Sequence, residues 1–148
     1  MIKRLKVLKN TTSGFTLVEL LTVMAIIAIL AAASLFGLNG ARESARDTKR
    51  KSDLEAVRSA LELYKADCGV YPPNGILVFG SNFIGPGSCG TNTYMSNVPQ
   101  DPISGRQYSY NRTAVSTYNL CASLEGGSGA VAGCGPCGST CNYKVTNP

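Results

Sequence analysis

The segment that decides the fold lies near the N-terminus and reads SGFTLVELLTVMAIIAILAAASLFGL over residues 13–38. From Phe15 to Leu38 it is apolar for twenty-four residues, with Glu19 as the one charged residue. As a helix, this run is about 36 Å long, which exceeds the roughly 30 Å thickness of a bilayer's hydrocarbon core. The segment is therefore predicted to be a transmembrane helix.

The residues before this segment, 1–14, form a short basic leader. Four of the fourteen basic residues of the 148-residue chain lie in the first ten positions, and the first acid is Glu19. The positive-inside rule therefore places this end of the chain in the cytoplasm. Without the leader, ten basic and nine acidic residues remain, so most of the formal charge of +5 belongs to the leader. No specific nucleic acid is predicted as a partner, because the rest of the chain has no basic patch.

Two ordinary explanations of the apolar segment fit less well. A secretory signal peptide has an apolar region of about 7–15 residues, which is shorter than this one. A plain membrane anchor has no use for Glu19, since a carboxylate within the bilayer costs at least about 2.5 kcal/mol. An ionisable residue at this depth therefore indicates a function that involves a partner charge.

The junction Ser13-Gly14-Phe15-Thr16-Leu17-Val18-Glu19 resembles the cleavage motif of type IV prepilins. The resemblance implies that a prepilin peptidase cuts after Gly14 and N-methylates the new terminal residue, Phe15. It also implies that Glu19 pairs with the Phe15 amine of a neighbouring subunit during assembly. The alternative is that Glu19 only complements the dipole of its own helix, which is worth about 0.3–1 kcal/mol.

The helix is predicted to continue beyond the apolar run to residue 67, with Gly37 and Gly40 as its weakest points. Its second half carries apolar residues spaced by three and four, which mark one buried face: Leu54, Val57, Leu61 and Tyr64. The charged run 46–51 is interpreted as solvated surface. The predicted parts of the chain are the leader 1–14, the apolar transmembrane and assembly helix 15–38, the amphipathic continuation 39–67 and the globular head 68–148.

The head begins where Gly69, Pro72 and Pro73 end the helix. Residues 74–98 are predicted to be a loop, and three short strands are predicted after a turn at Pro99-Gln100-Asp101-Pro102, over 107–111, 117–125 and 142–146. The apolar face of these strands needs a cover, which the second half of the helix supplies. The predicted fold class is α+β, a long helix packed on a small antiparallel sheet. This order of elements is similar to that of the major pseudopilins of type II secretion.

Six cysteines, all at or beyond position 68, indicate disulfides formed outside the cytoplasm. Of fifteen possible connectivities, the expected one is Cys68–Cys89, Cys121–Cys141 and Cys134–Cys137. Cys134-Gly135-Pro136-Cys137 also matches the dithiol of thioredoxin-like oxidoreductases, although the strand and helix that activate such a dithiol are not predicted around it. A zinc site made of Cys121, Cys134, Cys137 and Cys141 is conceivable by spacing, but export to an oxidising space disfavours it.

No catalytic residue and no cofactor are predicted. The chain has no His, which removes the commonest general base and metal ligand. No metal is expected either, because Asp101 is the one acid between Asp67 and Glu125 and is too little for a calcium site.

The expected function is that of a structural subunit of a type IV pilus-like filament, polymerised through its N-terminal helix. One alternative is a type II secretion pseudopilin in a short periplasmic pseudopilus. A distant alternative is a membrane-anchored thiol-disulfide oxidoreductase that uses Cys134 and Cys137. The expected partners are other copies of the chain, a prepilin peptidase and an inner-membrane assembly platform. The chain is expected in the cytoplasmic membrane before assembly and in a cell-surface filament afterwards.

Overall fold

The computed structural model describes residues 14–148. The predicted leader lies outside the described residues, apart from Gly14. The predicted α+β class is confirmed, since the chain has one long helix followed by small antiparallel sheets. The chain divides into two compact units, with the boundary between Asn39 and Gly40.

The N-terminal unit consists mainly of the first part of helix α1, which spans Leu17–Cys68. Every side chain from Phe15 to Ser34 is exposed, although most of them are apolar. The exposed fraction of Phe15, for example, is 89%. By length and composition, this part of α1 is able to cross a membrane.

In the C-terminal unit, α1 ends at Cys68 because the next residue adopts a left-handed conformation. Gly69 has φ +74°, and its N–H donates a hydrogen bond to the carbonyl of Lys65 at 2.8 Å. Glycine adopts this conformation without the steric cost that a side chain brings. Pro72 and Pro73 follow and prevent the helix from resuming.

Five strands follow the helix and form two antiparallel sheets. β1 and β2 form a two-stranded ribbon, with the short 3-10 helix Gly87–Cys89 between them. The other three strands form a sheet in the order β3-β4-β5. The bounds are β1 Phe83–Ile84, β2 Thr93–Met95, β3 Ser109–Ala114, β4 Thr117–Ala122 and β5 Tyr143–Thr146.

The ribbon corrects the expectation that residues 74–98 are only a loop. β1 has two residues and β2 has three, which is too short for an alternating pattern to be recognised in the sequence. The ribbon nevertheless contributes to the core, because Phe83 is fully buried and stacks on Tyr64 with 5.4 Å between the ring centroids.

The core of the C-terminal unit is one cluster of buried residues from α1, the ribbon and the three-stranded sheet. From β4, the alternate residues Tyr118, Leu120 and Ala122 are at most 1% exposed. Fully burying a side chain of the size of Leu120 contributes about 1.5–3 kcal/mol. The helix contributes the face predicted from its spacing, at most 2% exposed throughout: Leu54, Val57, Leu61 and Tyr64.

Candidate assembly site and ion-pair network

The N-terminal end of α1 is capped by three reciprocal hydrogen bonds between Thr16 and Glu19. The carboxylate of Glu19 accepts from the backbone N–H of Thr16 at 2.9 Å and from its hydroxyl at 2.8 Å. The hydroxyl oxygen of Thr16 in turn accepts from the N–H of Glu19 at 3.2 Å. This is a capping box, which satisfies N–H groups that the first turn of a helix leaves unpaired. Sequence reasoning missed it, although the Thr-x-x-Glu spacing is its signature.

The residues predicted for cleavage and assembly all lie at this end of the helix. Gly14 and Phe15 directly precede the capping box, and Glu19 belongs to it. All three are exposed. The geometry therefore leaves the peptide bond between Gly14 and Phe15 accessible. It also gives Glu19 a role within its own chain, close to the helix-dipole alternative considered above.

A second cluster of polar side chains lies in the C-terminal unit, around Arg50. The run 46–51 was expected to be solvated, but the side chain of Arg50 is fully buried. Its Nε and one Nη donate to the two carboxylate oxygens of Asp101 at 2.8 and 3.0 Å. Its other Nη donates to Asp47 at 2.7 Å and to Glu125 at 2.8 Å. The expectation holds for the exposed residues Thr48, Lys49 and Lys51 but was wrong for Arg50, because three carboxylates replace the water that a guanidinium would otherwise need.

The partners of Arg50 are themselves held by further hydrogen bonds. The Nε of Arg46 donates to Glu125 at 2.6 Å. Asp47 accepts from the backbone N–H groups of Glu125 and Gly126, both at 2.9 Å. We call Arg46, Asp47, Arg50, Asp101 and Glu125 the ion-pair network. It joins α1 to the turn Pro99–Pro102, which contains Asp101, and to the segment that follows β4.

The charges of the network stabilise one another. Hydrogen bonds from Arg46 and Arg50 lower the pKa of Glu125 to about 2. Burial raises the pKa of Asp47, but the backbone N–H groups of Gly126 and Glu125, together with Arg50, lower it by more. Asp101 is the main cause of the raised pKa of Arg50. These shifts keep Arg46, Asp47, Arg50 and Glu125 charged at neutral pH, in a network of two arginines and three carboxyl groups.

The six cysteines form three disulfides. Cys68 pairs with Cys89, as expected from the sequence, with 5.1 Å between the Cα atoms. The other two pairings correct the expectation: Cys121 pairs with Cys134 and Cys137 pairs with Cys141, with Cα separations of 5.9 and 5.6 Å.

The expected Cys121–Cys141 bridge assumed that β4 and β5 bring these two residues opposite each other. The residue opposite Cys121 on β5 is Lys144, so Cys141 lies beyond the end of the paired strands. Cys121 instead bonds to Cys134 in the segment between the two strands.

These bridges decide against two alternatives raised by the sequence. Cys134 and Cys137 are each bonded to another cysteine, and the residues that follow Cys137 form no helix. The thioredoxin-like dithiol, which needs a helix N-terminus to activate it, is therefore not formed. The zinc site is excluded as well, because zinc binds thiolates and all four of its proposed ligands are in disulfides.

Two sequence families match different parts of the chain. The family described as "Prokaryotic N-terminal methylation motif" matches residues 9–35. The family described as "Type II secretion system (T2SS), protein G" matches residues 38–135. No solved structure matches the chain.

Several curated relatives are named type II secretion system core protein G. The one from Vibrio cholerae serotype O1 is 33% identical over 132 residues, which cover 83% of this chain and 90% of the relative. The one from Pseudomonas aeruginosa is 32% identical over 107 residues, covering 69% of this chain and 75% of the relative. The resemblance to the pilin and pseudopilin family is confirmed. Because the protein G family matches well over half of its length, the chain belongs to the protein G family of the type II secretion system.

Proposed function

We propose that this chain is a structural subunit of the pseudopilus of a type II secretion system, a filament built from many copies held together by their N-terminal helices. The observation that carries the proposal is the protein G match over residues 38–135, directly after the methylation motif over 9–35. The names of the relatives favour the pseudopilus over the surface pilus that was the main expectation from the sequence.

The exposed apolar surface of the N-terminal unit supports assembly through the helix. Side chains such as Ile29 and Leu30 are 69% and 63% exposed. An apolar surface this extensive marks a membrane or protein interface. We infer that the inner membrane covers it before assembly, with the N-terminus in the cytoplasm, and that the helices of other copies cover it afterwards.

We further propose that a prepilin peptidase cuts after Gly14 and methylates Phe15. Cleavage turns the nitrogen of Phe15 into a cationic amine at the start of an apolar helix. Glu19 of a neighbouring copy supplies the opposite charge that this amine needs within the filament core.

The capping box is compatible with this pairing. Both hydrogen bonds from Thr16 end on one carboxylate oxygen of Glu19, Oε2. An ionised carboxylate has two acceptor oxygens, so Oε1 can accept from the Phe15 amine of a neighbour while the cap stays in place. Glu19 then stabilises its own helix and the contact between subunits at the same time.

The test is to overproduce the chain with the other components of its secretion system and to examine sheared filaments by electron microscopy. Glu19→Gln keeps the size of the side chain and removes its charge, so we expect normal cleavage and no filaments. The matched control is Glu43→Gln, which removes another exposed carboxylate of α1 and is expected to assemble. Wild-type-like filaments from Glu19→Gln would refute the pairing. A cleaved wild-type chain that forms no filaments would refute the proposed function.

A further inference from the structure

We propose that one face of the β3–β4 hairpin is a template that selects the Cys121–Cys134 disulfide when a thiol-oxidising partner acts on the exported head. We call this face the outer face, and it is formed by Ser109, Asn111, Asn119 and Cys121. The proposal rests on the proposed function for the export of the head, and on the geometry of the outer face for the choice of bridge.

The outer face follows from the register of the hairpin. Ser109 lies opposite Cys121, and Asn111 lies opposite Asn119. Residues that face each other across antiparallel strands, and residues two apart on one strand, point to the same side of a sheet. Tyr118 and Leu120, the alternate residues of β4, point to the other side of the sheet and belong to the core. The outer face therefore faces away from the core.

Three side chains of the outer face hold the backbone on both sides of Cys134. The amide groups of Asn119 and Asn111 donate to the carbonyl of Gly133 at 2.9 and 3.2 Å. The hydroxyl of Ser109 accepts from the N–H of Gly135 at 2.9 Å. These contacts bring Cys134 over Cys121, which is fully buried beneath this segment.

The template is needed because a shorter bridge competes. Cys137 is three residues from Cys134, whereas Cys121 is thirteen residues away. The smaller loop costs less entropy to close, which favours Cys134–Cys137 in an unfolded chain. Hydrophobic burial of the segment 123–142 does little to prevent the Cys134–Cys137 bridge, because Ser123 and Cys137 are the buried side chains of this segment. The hydrogen bonds of the outer face therefore decide which bridge forms.

The oxidation itself is an exchange with an oxidised dithiol protein. A cysteine thiolate of the chain attacks the partner's disulfide, forms a mixed disulfide and releases one thiolate of the partner. The second cysteine then attacks the chain sulfur of the mixed disulfide and releases the partner. Each bridge transfers two electrons to the partner, which leaves as a dithiol that carries the two thiol protons.

The native bridges join cysteines that are consecutive along the chain: Cys68–Cys89, Cys121–Cys134 and Cys137–Cys141. A chain with this pairing needs an oxidant but no isomerase to reshuffle its bridges, provided that Cys134 does not pair first with Cys137. The outer face meets that condition by holding Cys134 against Cys121.

The experiment follows the pairing during oxidative refolding. The full chain is reduced and denatured, diluted into detergent micelles with oxidised glutathione, and mapped by mass spectrometry without reduction. Asn119→Asp keeps the size of the side chain but loses the N–H donor. We expect the fraction of Cys134–Cys137 to rise about fivefold for this loss of a hydrogen bond. The control Asn97→Asp, at an exposed residue in the turn before Val98, is expected to leave the pairing unchanged.

A second pair of variants separates pairing from folding. Ser109→Ala removes the acceptor for Gly135 and is expected to raise Cys134–Cys137, whereas Ser109→Thr keeps the hydroxyl and is expected to restore native pairing. Equal maps for Asn119→Asp, Ser109→Ala and wild type would overturn the template. A wild-type chain that reaches native pairing only with a disulfide isomerase would overturn it too. Neither result depends on filaments, so the proposed function is tested separately.

Discussion

The guanidinium of Arg50 and the carboxylate of Asp101 form a bidentate ion pair, and neither side chain is exposed. The two residues are 51 positions apart in the chain. The same guanidinium also bonds to Glu125, 75 positions away. One buried arginine on α1 thus holds both the turn Pro99–Pro102 and the segment after β4 in place.

Replacing Arg50 is expected to destabilise the head strongly. Arg50→Met leaves Asp101 buried without its counter-charge, which typically costs about 3–5 kcal/mol. The control Arg58→Met removes a more exposed arginine that pairs with Glu55 at 3.4 Å, and a loss of at most about 1 kcal/mol is expected. Urea unfolding followed by tyrosine fluorescence measures both. A loss for Arg50→Met no larger than that for Arg58→Met would show that the buried network contributes little.

The stability of the head is expected to fall at acid pH because of Glu125. Arg46 and Arg50 hold its pKa at about 2 in the folded head, whereas in an unfolded chain it is about 4.3. The unfolded state therefore binds the proton first as the pH falls. The stability from Glu125 is complete above about pH 4.3 and disappears as the pH approaches about 2.

Glu125→Gln tests this linkage. We expect the variant to be less stable than wild type near neutral pH and to lose less stability between about pH 5 and pH 2. Urea unfolding at several pH values measures how the free energy of unfolding of each protein depends on pH. Parallel curves for the two proteins would mean that Glu125 does not titrate as the geometry predicts.

Removing the cap of α1 is expected to leave assembly intact. Thr16→Ala deletes the hydroxyl of the capping box, which costs about 0.5–2 kcal/mol of helix stability. It keeps the carboxylate of Glu19, so filaments are expected from Thr16→Ala but not from Glu19→Gln. Circular dichroism in micelles measures the helix, and electron microscopy measures the filaments. If Thr16→Ala abolished filaments as completely as Glu19→Gln, the role of Glu19 would be capping alone.

The disulfides are expected to contribute unequally. Cys68 and Cys89 are 21 residues apart, whereas Cys137 and Cys141 are 4 residues apart. The larger loop loses more entropy in the unfolded state, so replacing the first pair with alanine should cost about 1.5 kcal/mol more than replacing the second pair. Thermal unfolding of the two double variants measures the difference, and equal losses would contradict the loop-entropy explanation.

The parts of the fold that could be predicted are those with a local pattern. The apolar run from Phe15 predicts the first half of α1, and the spacing of Leu54, Val57 and Leu61 predicts the face that packs on the sheet. Gly69, which is followed closely by two prolines, predicts the end of the helix.

The parts that could not be predicted depend on contacts between distant residues. Arg50 lies in a charged run that is typical of solvated helix, and its partners Asp101 and Glu125 are brought to it only by the fold. The partner of Cys121 depends on the strand register, which cannot be read from the sequence. The capping box at Thr16 is different, because its Thr-x-x-Glu spacing is a local pattern that the sequence alone contains.

Mass spectrometry of the N-terminal peptide from isolated membranes tests most directly whether this chain is processed as a pilin-like subunit. We expect a chain that begins at Phe15 and carries one added methyl group on its amine. A chain that still begins at Met1, or one cut downstream near Ala31–Ser34, would contradict the pseudopilus role.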